Sequence, residues 1–143
     1  MDIRPLTPGY AVSPQIAVED LPAIAEAGFT TVICNRPDAE VGPELSSRAM
    51  RDAAEAVGLS FVALPLSQET LTPENGLRQV ETIADATGPV LAYCRSGTRC
   101  TVIWALGQAG KMPVDEILQK AAEAGYQLDQ FRPALEALAA SRG

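Results

Sequence analysis

One run of the chain, Cys94-Arg95-Ser96-Gly97-Thr98-Arg99-Cys100, gathers the residue types that make a sulfur nucleophile beside an anion site. It follows a β-type apolar stretch, Val90 to Tyr93, and leads into a helical pattern over Thr101 to Ala109. A helix N-terminus offers unpaired N–H groups and the positive end of the helix dipole, so an anion is favoured there. A thiol in such a place falls from about 8.5 to roughly 3.5–7.5 in pKa. Cys94 thus reads as a nucleophile activated without an imidazole. Gly97 permits a backbone turn that points successive N–H groups at one centre. Arg95, Ser96, Gly97 and Thr98 form the expected anion-binding loop, and Arg99 the catalytic cation. A cation at the start of a helix opposes the dipole, which an anion-binding role for Arg99 explains. Arg95 suits solvent as well as an anionic donor. Cys100 is either packing in the first helical turn or a resolving thiol that attacks an oxidised or persulfidated Cys94.

Composition removes the commoner alternatives. The 143 residues hold 11 Lys and Arg, 18 Asp and Glu, three Cys and no His. Without histidine there is no Ser-His-Asp or Cys-His catalysis and no histidine-ligated metal. Cysteines at 34, 94 and 100 lack the paired spacing of zinc sites, so neither metal nor cofactor is expected. A net charge of −7 speaks against nucleic-acid and anionic-membrane surfaces, so an anionic partner must use a local site. The longest apolar stretches, such as Phe61 to Leu66, fall far below the roughly 18 residues of a membrane span. The start, MDIRPLTPGY, carries no leader pattern, and three cysteines without a disulfide framework suit a reducing compartment. The expectation is a cytoplasmic protein forming a single domain over 1–143.

Helical and strand patterns alternate, which implies an α/β domain with a mainly parallel central sheet of four to five strands. Extended segments are expected at Tyr10 to Val12, Thr30 to Cys34, Ser60 to Leu64 and Val90 to Tyr93. Helices are expected at Val18 to Ala27, Glu44 to Val57, Pro73 to about Ala86, Thr101 to Ala109, Val114 to Ala124 and about Gln130 to Ala140. Ligands of open α/β sheets sit beyond the carboxyl ends of the strands, where Cys94 lies. Arg36 and Asp38 follow the strand ending at Cys34 and reach the same side. They read either as turn residues or as a site wall, with Asp38 a candidate acid or an orienter of Arg99. Glu69, on the loop Pro65 to Thr72, is a second acid candidate. Cys34, Trp104 and Phe131 read as packing residues.

The loop YCRSGTRC resembles the active-site loop of single-domain rhodaneses, in which the cysteine carries a persulfide. RPL with YAVSPQI, then TVICNRPDAE at Thr31 to Glu40, LPL at Leu64 to Leu66 and the loop itself resemble a bacterial family related to dual-specificity phosphatases. Members of that family are also found fused to metallo-β-lactamase-like sulfur dioxygenases. The resemblance implies a dual-specificity-phosphatase-like fold and a role in sulfide metabolism or detoxification, with a sulfur dioxygenase as a partner. Phosphatase loops run Cys-x5-Arg, whereas Arg99 stands at Cys-x4-Arg. They also have His before the nucleophile, Ser or Thr after the arginine and an Asp acid on another loop. Here those places hold Tyr93, Cys100 and a Pro65 to Thr70 stretch without Asp. These departures favour sulfur transfer through a Cys94 persulfide, with thiosulfate or glutathione persulfide as donor and a thiol, sulfite or cyanide as acceptor. The alternatives are a cysteine-dependent tyrosine or dual-specificity-type phosphatase, and a Cys94/Cys100 persulfide or redox sensor.

Overall fold

Runs of β-branched and apolar residues such as Thr31-Val32-Ile33-Cys34 and Val90-Leu91-Ala92-Tyr93 have no polar face, so each must be covered on both sides. The computed structural model, which describes residues 1–142, places them at the centre of a five-stranded sheet. The strands are β1 (Arg4–Thr7), β2 (Tyr10–Ser13), β3 (Thr31–Cys34), β4 (Ser60–Ala63) and β5 (Val90–Tyr93), in the order β1-β2-β5-β3-β4. β1 alone runs antiparallel to its neighbour, and the other pairings are parallel. The six helices are α1 (Leu21–Glu26), α2 (Ser47–Ala56), α3 (Pro73–Asp85), α4 (Thr98–Gln108), α5 (Val114–Glu123) and α6 (Arg132–Arg142).

One face of the sheet packs Leu21, Ile24, Met50 and Ala54 from α1 and α2 against Val32, Phe61, Leu91 and Tyr93. The other packs Trp104, Ile117 and Leu135, from α4, α5 and α6, against Val12, Ile33 and Ala92. Cys100 to Gly107 of α4 are all buried, so this helix is wrapped by protein on every side. It crosses α3 at closest approach where Gly76 faces Gly107, since a Cβ on Gly107 would collide with the Gly76 carbonyl. Its far end is closed by Arg142, which donates to the Leu106 and Ala109 carbonyl oxygens at 2.6 and 3.1 Å. The helix that aims at Cys94 is therefore fixed at both ends. No helix among the described residues is long and apolar enough to cross a membrane.

One strand and several helix boundaries differ from the sequence expectation. Strand β1 was not anticipated, because Pro5 interrupts it; an edge strand tolerates the missing N–H. Helix α2 starts at Ser47 rather than Glu44, because Ser46 accepts from the Ala49 N–H at 3.2 Å and so caps it. Helix α4 starts at Thr98, not Thr101, which puts Arg99 and Cys100 in its first turn.

Candidate active site

Cys94 leaves the end of β5 with its N–H directed to the Ser13 carbonyl at 3.4 Å and its side chain buried. The chain then turns through Gly97, whose φ of +91° closes the loop as the N-cap of α4. The Gly97 N–H donates to Cys94 Sγ at 3.1 Å. The Cys94 pKa is lowered to about 5, first by the neighbouring Cys100 thiol and then by the amides of Cys100, Gly97 and Ser96, which together outweigh burial. Full burial first, and then its contact with Cys94, push Cys100 well above the ordinary thiol value, so it stays protonated. The Gly97 amide and Cys100 thus both face the Cys94 sulfur.

Arg99 is held along one edge. Nη1 donates to Glu40 Oε2 at 2.9 Å and to the Leu66 carbonyl at 2.8 Å, and Nη2 to Glu40 Oε1 at 2.8 Å. A guanidinium has five N–H groups, so Nε–H and one Nη2–H remain for an incoming anion. Arg36 grips the same carboxylate through Nε at 3.2 Å and reaches Gln15 Oε1 at 3.1 Å through Nη1. Glu40 is accordingly held below the usual carboxylate range, by Arg99 first and by Arg36 as well.

Beneath the loop runs a buried polar chain. Asn35 and Gln79 exchange amide hydrogen bonds at 2.9 and 3.0 Å, and Gln79 donates to the Tyr10 hydroxyl at 3.2 Å. That hydroxyl donates in turn to the Cys100 carbonyl at 2.9 Å. Asn35 also accepts, through its backbone oxygen, the Leu66 N–H at 2.9 Å, which fixes the residue whose carbonyl holds Arg99. Every amide atom of this buried pair is satisfied, a condition under which such networks rigidify rather than destabilise.

The structure brings together Cys94, Ser96, Gly97, Arg99 and Cys100, while Arg95 points to solvent. Arg36 and Asp38 line a recess with Cys34, Ser47 and Pro65 rather than with Cys94 and Arg99. One acid assignment needs correction. Asp38 accepts from the Ser47 N–H at 2.8 Å and its hydroxyl at 3.0 Å, so it ties down the start of α2, and Glu40 orients Arg99 instead. Glu69 is exposed, and its carboxyl is held below its ordinary range by its own amide and by Ser67. Cys34 is buried, which raises its pKa, and donates to the Arg36 carbonyl at 3.3 Å. The Tyr93 hydroxyl is buried beside it, and burial first, then the Cys34 sulfur, raise its pKa.

Sequence reasoning passed over Glu40, Gln15, Asn35, Gln79, Tyr10 and Tyr126. Glu40 had a signal, as the first acid beyond RPD, and so did Asn35 and Gln79, amides on otherwise apolar surfaces. Tyr126 had none. Among the described residues no group of three or more His, Cys, Asp or Glu is placed to hold a metal ion.

The sequence model of the beta-lactamase hydrolase-like protein, phosphatase-like domain, matches residues 2–111, most of the chain. The chain belongs to this family. A family relative, the beta-lactamase hydrolase-like protein of Agrobacterium fabrum, is 32% identical over 98 residues, 68% of this chain but 23% of that protein. The chain thus spans about a quarter of that relative's length. A crystal structure of a phosphatase candidate from Neisseria meningitidis superposes with a TM-score of 0.84 at 36% identity, covering 96% of this chain and 99% of that one. Tk-PTP in its active form shares the fold, with a TM-score of 0.72 at 20% identity and coverage of 99% and 98%. The fold is dual-specificity-phosphatase-like, as the motif resemblance implied.

Proposed function

We propose that the chain is a cysteine-dependent phosphatase acting on aryl phosphates of the tyrosine type. The observation that carries this reading is the division of labour at Arg99: Glu40 and Leu66 take three of its N–H groups, and two remain on a cation close enough to Cys94 to interact with its charge. That arrangement suits a tetrahedral anion gripped side-on, with backbone amides on its remaining oxygens. Cys94 thiolate attacks phosphorus, the S–P bond forms and the P–O bond to the leaving group breaks. Water then attacks phosphorus, the S–P bond breaks, and phosphate departs from a regenerated thiolate. The nearby carboxylates are engaged: Glu40 by two arginines, Asp38 by Ser47. With these two carboxylates occupied as acceptors, a phenolate, which needs no proton to depart, leaves more readily than an alkoxide. Turnover of an aryl phosphate that vanishes in Cys94→Ser, with alkyl phosphates much slower, is the expected result. No turnover by the wild-type protein refutes the reading.

A second reading, sulfur transfer, is favoured by one observation: the arginine stands at Cys-x4-Arg, in a loop one residue short of the phosphatase spacing. In this reading the thiolate attacks the outer sulfur of thiosulfate, sulfite leaves, and an acceptor thiol takes the sulfur from the Cys94 persulfide. A gain of one sulfur atom on Cys94, seen by intact mass after thiosulfate or glutathione persulfide treatment, supports it over hydrolysis.

A further inference from the structure

The peptide unit between Ser96 and Gly97 is held at both ends. Its carbonyl oxygen accepts from the Tyr126 hydroxyl at 2.9 Å, and its N–H donates to Cys94 Sγ at 3.1 Å. In a planar trans peptide the C=O and N–H bonds point in opposite directions, so fixing one fixes the other. Drawing the carbonyl outward to Tyr126 aims the N–H inward at the sulfur.

Tyr126 is itself anchored. It follows Gly125, where a φ of +97° turns the chain back after α5, and its N–H donates to the Ala121 carbonyl at 2.9 Å. The Arg4 guanidinium lies 5.1 Å from the ring centroid, and Arg4 Nη1 donates to the Ala124 carbonyl at 3.3 Å. The residue is 6% exposed. Gly97 and Tyr126 also fit one another sterically, because a Cβ on Gly97 would fall on the Tyr126 hydroxyl. The glycine therefore serves the positive φ and, with it, the space that the phenol occupies.

We propose that Tyr126 is a positioning residue for the nucleophile: it clamps the Ser96–Gly97 peptide plane so that an amide proton faces Cys94, and so favours the thiolate. It lies outside residues 2–111, the part matched by the family model, so the segment after α4 contributes to the site. The proposal rests on Cys94 being the nucleophile, but it concerns ionisation and holds for phosphoryl or sulfur transfer alike.

The test is Tyr126→Phe in the full chain, which keeps the ring and its packing and removes only the hydroxyl. Alkylation of Cys94 by iodoacetamide is followed against pH by mass spectrometry, beside the melting temperature. The wild-type midpoint is expected near 5. In Y126F it is expected to rise by about one unit, a tenfold change in the ionisation constant, as one charge-assisted hydrogen bond loses its alignment. A purely structural role would lower the melting temperature and leave the midpoint in place. An unmoved midpoint in Y126F, or a wild-type midpoint at the ordinary thiol value, overturns the proposal. Failure of the phosphatase reading would show separately, as absent aryl phosphate turnover by a wild-type protein with the low midpoint.

Discussion

The Glu40 carboxylate meets the Arg99 guanidinium through two hydrogen bonds of 2.8 and 2.9 Å, so that an acid from the turn after β3 sets the orientation of a cation in the first turn of α4. The pair is partly exposed, with Glu40 side-chain accessibility of 37%, and its contribution to folding stability is correspondingly small. Its effect belongs to alignment. Glu40→Gln, which keeps size but loses charge and the paired acceptor, should lower kcat/KM by about 10- to 100-fold, with little change in melting temperature. Steady-state kinetics beside thermal denaturation check this, and a stability loss without a kinetic one would contradict it.

Cys94 should set the acid limb of the pH–rate profile. Its pKa is depressed to about 5 from an ordinary value near 9, so the reactive thiolate is nearly complete at neutral pH and is lost as pH falls through 5. The kcat/KM profile should be flat from about pH 6.5 to 8 and fall below it with a midpoint near 5. A limb near 8.5 would mean that the loop does not activate the sulfur.

Cys100 stabilises that thiolate through its S–H. Cys100→Ala removes the donor and should raise the Cys94 midpoint by about one unit, whereas Cys100→Ser, whose hydroxyl also donates, should keep it low. Peroxide distinguishes a further role. If Cys100 resolves a Cys94 sulfenic acid, expelling water to form a disulfide, wild-type activity returns with dithiothreitol, and that of C100S is lost irreversibly.

Gly97→Ala combines a strained positive φ with a collision at the Tyr126 hydroxyl. A loss of about 1–3 kcal/mol is expected in urea denaturation, together with most of the activity. A stable, fully active G97A would show that the loop can close in another way.

The parts of this site that a reader of the sequence can find are those that sit in one stretch of chain. Cys94 through Cys100 declare themselves because a strand, a glycine turn and a helix start follow one another, and local chemistry carries the inference. Strand and helix periodicity likewise placed four of the five strands, and only the proline-containing edge strand β1 escaped. The supports come from distant segments: Glu40 after β3, Asn35 against Gln79 across the sheet and helix, Tyr126 beyond α5. No local pattern says which of two acids on the same turn, Asp38 or Glu40, will cap a helix and which will meet an arginine. That choice is made by the path of the loop toward α2, where the Ser47 N–H waits for an acceptor.

Phosphatase chemistry at this site requires that Cys94 accept a phosphoryl group. Acid quenching of wild-type protein during turnover of an aryl phosphate, followed by peptide mapping, should find the mass of one phosphoryl group on Cys94 and none in Cys94→Ser. An unmodified Cys94 under turnover, or a cysteine that gains sulfur from thiosulfate but never phosphorus from an aryl ester, would contradict the account.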